Sequence, residues 1–142
     1  MKQLEVRIDA QPGWAAINRK TKGRGHMLSD AYLAYREAAI YAVSQLRLRA
    51  EAAGRPLTLP VPWHRVSAQL LCYWPTVHRR KGPHAGLPRG DIDAPVKGTL
   101  DALAHAGVYD DDTRVCGLMV LKFHDPANPR VHATLEELRV GK

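Results

Sequence analysis

Six of the fourteen acidic residues in this 142-residue chain lie between Asp91 and Asp112. They are Asp91, Asp93, Asp101 and the run Asp110-Asp111-Asp112, and Lys97 is the single base among them. Asp91 and Asp93 are two apart, so in an extended segment both side chains project to one side. Lys97 follows Asp93 by four and falls in the first turn of the helix predicted next. The aspartate run then opens the following strand, so the chain leaves through the helix and can return to the same place. Converging carboxylates repel one another and raise each other's pKa. A hard divalent cation such as Mg²⁺ relieves that repulsion with oxygen ligands, water and substrate phosphate. It can activate water and stabilise charge building on a phosphate, while Lys97 supports a phosphate or leaving oxygen. This is chemistry for phosphodiester hydrolysis. The same residues also have plain uses: Asp93 can cap the helix, and Asp110 to Asp112 make an ordinary turn. Phosphatases of the haloacid dehalogenase type and nucleotide-sugar glycosyltransferases set their DxD directly after an apolar strand of a larger domain. Here His84-Ala-Gly-Leu-Pro-Arg-Gly90 precedes it.

The charge around that stretch has the opposite sign. The chain holds 21 Lys and Arg against 14 Asp and Glu, a formal +7. With six acids and one base, the 91–112 stretch is −5, which leaves 20 bases and 8 acids, or +12, for the rest. Two acid-free loops concentrate the bases: Arg19, Lys20, Lys22 and Arg24 in one, Arg79, Arg80, Lys81 and Arg89 in the other. Either loop can be a solvated surface or a phosphate-binding one. A small protein this basic meets a polyanion, nucleic acid or an acidic membrane surface.

The elements that must position these residues follow from periodicity. Leu4, Val6 and Ile8 alternate in a first strand over 3–9. A loop over 10–28 leads to Ser29, an N-cap for a helix to about Ala53 that Gly54 stops. Tyr32, Tyr35, Ala39, Val43 and Leu46 form its core stripe, and Arg36 falls toward its polar side. Residues 56–64 are an extended connector with three prolines. Alternation over 66–74 predicts a second long strand, with Trp74 packed in the core. Pro95 suits the first position of a second helix, whose stripe is Val96, Leu100 and Leu103 and whose stop is Gly107. The almost wholly apolar run 114–123 reads as a buried strand. A turn at 125–129 leads to a last strand beginning at Val131. The order β-α-β-α-β-β predicts an α+β fold: one compact domain over 1–142, with a small mixed sheet packed against two main helices.

Other classes are excluded by composition. Hydrophobic residues are 45% and charged residues 25%, which rules out intrinsic disorder and collagen-like sequence. The N-terminus lacks an apolar run of signal-peptide length, and no stretch of about 18 apolar residues spans a membrane. Cys72 and Cys116 are expected as two buried thiols of a cytoplasmic protein, and neither the cysteines nor the scattered histidines have zinc spacing.

The full string Gly90-Asp91-Ile-Asp93-x-x-x-Lys97-x-x-x-Asp101-Ala-Leu103-x-x-Ala-Gly107-Val-x-x-Asp-Asp112 closely resembles the RusA family of Holliday junction resolvases. The resemblance is dense over residues 89–123 and looser over most of the chain, including the Ser29 to Arg36 segment. It implies a small Mg²⁺-dependent endodeoxyribonuclease, with Mn²⁺ as a possible substitute, of a kind often encoded by prophages. It implies that Asp91, Asp93 and Asp112 are metal-binding aspartates and that Lys97 is the catalytic lysine. Asp101 and Asp111 match recurrent acids of the pattern and carry a structural or supporting role; Asp110 inherits none. Ala94 stands where the family usually has Asn. The resemblance also implies a homodimer, and a nearly two-fold four-way junction cut by two opposed sites fits a C₂ dimer. The two basic loops would then hold the DNA backbone. Two alternatives stand beside this reading: a non-catalytic protein that binds branched DNA, and a metal-dependent nuclease for flaps or other branched DNA.

Overall fold

The computed structural model describes residues 2–12, 17–18, 27–78 and 82–139. The elements are strands β1 (Gln3–Ile8), β2 (Ile17–Asn18) and β3 (Met27–Leu28), helix α1 (Asp30–Ala52), strand β4 (Val66–Trp74), helix α2 (Val96–His105), and strands β5 (Val115–His124) and β6 (Arg130–Glu137). The fold is α+β, with a mixed four-stranded sheet in the order β1-β6-β4-β5 and two helices. β6 runs antiparallel to both of its neighbours, and β4 and β5 are parallel. Strands β2 and β3 pair as a separate two-stranded ribbon, inside the stretch expected to be loop throughout.

Period-two alternation places one side of each strand in the core. Leu4, Val6 and Ile8 of β1, Val66, Ala68, Leu70, Cys72 and Trp74 of β4, and Val131, Ala133 and Leu135 of β6 are buried together. Tyr35, Ala39 and Val43 of α1 and Ala102 and Leu103 of α2 close over this face. The helix ends follow local chemistry. Ser29 Oγ accepts the Tyr32 N–H at 3.1 Å, and α1 ends at the cap residue Ala53, before Gly54. A buried hydrogen bond of 2.7 Å between Tyr35 Oη and Thr99 Oγ1 ties α1 to α2.

The apolar run expected to be a buried strand is instead an exposed sheet edge. Among the described residues, β5 pairs with β4 and with no other strand. Leu118, Met119, Leu121 and Phe123 are each 40% or more exposed. An apolar run records what a strand needs covered; it does not record whether this chain supplies the cover. On the sheet side away from the helices, Met119, Leu121 and Phe123 stand in register with Gln69, Leu71 and Tyr73. Tyr73 stacks on Phe123 with ring centroids 5.2 Å apart, and the Arg130 guanidinium lies 3.7 Å over the Tyr73 ring. The thiols divide in the same way, Cys72 buried and Cys116 exposed, so the expectation of two buried cysteines is corrected for Cys116.

Candidate active site

Strands β4 and β5, being parallel, end side by side at Trp74 and His124. The segment carrying Asp91 and Asp93 is attached there. Gly90 lies against the Trp74 indole so closely that a Cβ built on it would overlap the ring. From β5, Lys122 Nζ donates to the carbonyls of Gly90 at 2.8 Å and Pro88 at 3.2 Å. Another turn of the same loop is tied back by Arg89 N–H to Thr76 C=O at 2.9 Å.

Beyond Gly90 the chain turns rather than extends. Ala94 N–H donates to Asp91 C=O and Val96 N–H to Asp93 C=O, each at 3.1 Å. The extended DxD expected from the sequence is therefore corrected to two successive turns, with both carboxylates exposed. Asp93 does not cap α2. The cap position is Pro95, which makes no side-chain cap bond, and the helix proper begins at Val96. Proline suits this position because the first N–H groups of a helix lack intrahelical partners.

Lys97 is exposed in the first turn of α2. Asp101 stands four residues on, hence on the same helix face. After His105 the chain reverses through Gly107, whose φ of +83° lies in the left-handed region that glycine enters without strain. Val108 and Tyr109 then anchor it: Val108 C=O accepts Val61 N–H at 2.8 Å, and Tyr109 Oη donates to Leu100 C=O at 2.7 Å.

This anchoring brings the three consecutive aspartates alongside α2, where they divide three ways. Asp110 forms a two-point ion pair with the Arg114 guanidinium, which holds its carboxyl below the usual carboxylate range. Asp111 Oδ1 accepts Thr113 N–H at 2.8 Å and caps a short 3-10 turn, Asp112–Arg114, where a strand start was expected. That hydrogen bond also lowers the Asp111 pKa. Asp112 turns to Asp101. Hydrogen-bonding contact with Asp101 is the largest cause raising the Asp112 pKa, followed by partial burial and Asp111. The two carboxylates also reach the buried Tyr109, whose phenol is pushed up first by burial and then by Asp112 and Asp101.

Asp101, His105 and Asp110 to Asp112 line an open cleft of about 260 Å³. Arg36 of α1 reaches its rim, with Nη1 3.2 Å from His105 Nε2, instead of lying free on a polar face. Arg36 and His105 were not singled out as site residues from sequence; the match of the Ser29 to Arg36 segment was the one available signal for Arg36.

The expected ligands Asp91, Asp93 and Asp112 thus belong to two groups, the turn before α2 and the cleft beside it. Among the described residues, no three His, Cys, Asp or Glu side chains gather closely enough to hold a metal ion. In kind the donors fit a hard divalent cation. Asp101 and Asp112 are carboxylates in contact, and among the described residues neither forms an ion pair; one or two carboxylates with water and phosphate make an Mg²⁺ site. Of the basic-loop residues, Arg89 is exposed one residue before Gly90. Arg19, Lys20, Lys22, Arg24, Arg79, Arg80 and Lys81 lie outside the described residues.

The family model of the endodeoxyribonuclease RusA matches residues 9–136, nearly the whole chain and both acidic groups. The protein is a member of the RusA endodeoxyribonuclease family. No curated protein gives a match. Within the RusA frame, the matched region takes in α1, the sheet strands β4, β5 and almost all of β6, and the loop that fixes Asp91. No helix among the described residues is long and apolar enough to cross a membrane.

Proposed function

We propose that this RusA family member is a divalent-metal-dependent endodeoxyribonuclease that resolves four-way DNA junctions by paired, symmetric nicks, with Mg²⁺ as cofactor and Mn²⁺ able to substitute. The observation that supports this most directly is the surface running from Asp91 and Asp93 through Lys97 to Asp101, which meets Asp112. Carboxylates beside DNA phosphate weaken binding unless a cation intervenes, so their presence in a basic protein favours an enzyme over a passive binder.

Asp112, with Asp101 beside it, and the pair Asp91 and Asp93 are the residues that would hold the metal. When bound, the cation supplies an activated water and charge neutralisation at phosphate. Lys97, exposed between the two acidic groups, presents its ammonium to a phosphate oxygen. Asp110 stays with Arg114 and Asp111 with its cap, so neither is placed in the reaction. Arg89 and the bases of the two loops would track the DNA backbone, and affinity should fall steeply with salt.

A homodimer accounts for two cuts. The exposed Leu118, Met119, Leu121 and Phe123 favour this reading, since a long apolar edge strand left bare invites pairing with another chain. A second copy meeting the same surface gives the C₂ symmetry that a junction requires. We place the chain in the cytoplasm, with DNA.

The test compares a labelled four-way junction, a flap and a plain duplex, each with Mg²⁺ and with EDTA. Paired nicks in the junction alone, dependent on Mg²⁺, are the expected result. A mobility shift in both conditions without cleavage makes the protein a branched-DNA binder. Preferential cutting of the flap assigns it to other branched substrates.

A further inference from the structure

Lys122 occupies an unusual position for a strand lysine. It stands in register with the buried Cys72, so its side chain leaves β5 on the core side of the sheet, and it is partly buried. Among the described residues no carboxylate lies within 4.0 Å of its ammonium. It donates hydrogen bonds to the carbonyl oxygens of Gly90 and Pro88, more than thirty residues earlier in the chain.

The Gly90 carbonyl belongs to the same planar peptide unit as the Asp91 N–H, so fixing one fixes the other. Gly90 is also pressed against Trp74, and no side chain fits between them. Trp74 from β4 and Lys122 from β5 therefore clamp the peptide that delivers Asp91. An ammonium carries three N–H donors, so one lysine can hold both carbonyls at once.

We propose that Lys122 is a positioning residue of the acidic site, acting through the Gly90–Asp91 peptide to place the Asp91 carboxylate. The inference rests on the metal-dependent nuclease reading for its consequence in catalysis, though not for its geometry. It assigns a function to a lysine outside the acidic stretch, distinct from that of Lys97.

The test uses the full chain with Lys122→Met, of similar length without donors, and Lys122→Arg, which keeps the donors. Three quantities are read: amide hydrogen exchange over residues 88–93, Mn²⁺ affinity by titration, and junction binding in EDTA. The Met variant should exchange faster over that segment, lose about tenfold or more in Mn²⁺ affinity, as loss of outer-shell partners does, and bind junction in EDTA as wild type does. The Arg variant should recover most of the metal affinity. Unchanged exchange and metal affinity in the Met variant overturn the proposal, as does an Arg variant equally impaired. Should the Met variant not fold, Lys122→Gln, whose shorter side chain cannot reach both carbonyls, takes its place, and wild-type exchange over residues 88–93 with wild-type Mn²⁺ affinity there overturns it. If wild type fails to cut junctions yet the Met variant loses Mn²⁺ affinity, the resolvase reading falls and the positioning role stands. If wild type cuts and the Met variant matches it in every readout, the reverse holds.

Discussion

The carboxyl of Asp112, on the 3-10 turn, meets that of Asp101, on α2, and the contact raises the Asp112 pKa. Like charges on neighbouring surface positions destabilise by about 0.2–1 kcal/mol. Asp101→Asn replaces a repelling carboxylate with an amide that can donate to Asp112. In EDTA its melting temperature should rise by up to about 4 °C. Added Mg²⁺ should stabilise wild type more than the variant, because the cation no longer has a repulsion to relieve. Equal Mg²⁺ stabilisation of both proteins would show that the pair holds no cation.

Asp93→Asn tests the other acidic group. Cleavage of a junction should fall by more than about a hundredfold, beyond the loss usual for an outer-shell partner. Junction binding measured by gel shift should hold or improve, since a negative charge leaves the DNA-facing surface. Full cleavage by the variant in Mg²⁺ removes Asp93 from the site.

The exposed β5 face should carry the dimer contact. Leu121→Lys places a charge between Met119 and Phe123 on a surface that is already solvent-exposed in the single chain. The fold should survive, with a melting temperature close to wild type by circular dichroism, while light scattering on a sizing column shows the mass of one chain where wild type shows two. A variant that remains a dimer moves the contact elsewhere.

Gly90→Ala should be costly for its size. The added methyl has no room beside the Trp74 ring, and overpacking of this kind destabilises by roughly 1–3 kcal/mol. The urea midpoint should fall with an unchanged slope. A wild-type midpoint would mean that the loop lifts from Trp74 at little cost.

Stability should decline in alkali. Burial pushes the Cys72 thiol up to about 12, and burial raises the phenols of Tyr35 and Tyr109 above their ordinary range. The unfolded chain releases these protons near the ordinary values of about 9 and 10, whereas the folded chain keeps them. The unfolded state therefore binds fewer protons above those values. The stabilising contribution is complete below about pH 9 and is lost as pH rises toward the folded values. Urea midpoints should be level near neutrality and drop above about pH 9.5. In the native protein a thiol reagent should modify Cys116 quickly and Cys72 only on unfolding; equal rates would contradict this burial.

Much of the fold was legible in the sequence where local chemistry decides it. Ser29 and Gly54 bound α1 through cap and stop signals, alternation over 66–74 marked β4, and Lys97 fell in the first turn of α2. The family pattern could be read from the Asp91 to Asp112 string because its residue types and spacing are themselves the signal. What the tertiary structure decided was which partner each residue meets. The three consecutive aspartates are equivalent in sequence, and only the positions of Arg114, the Thr113 N–H and Asp101 make them an ion pair, a cap and a half-buried acidic contact. The apolar β5 run looked buried, yet the order β1-β6-β4-β5 sets it at an edge. Lys122 gave no local signal, since the carbonyls it holds are more than thirty residues away. Periodicity and capping are short-range effects written into neighbouring residues, whereas strand order and charge pairing arise from contacts between distant ones.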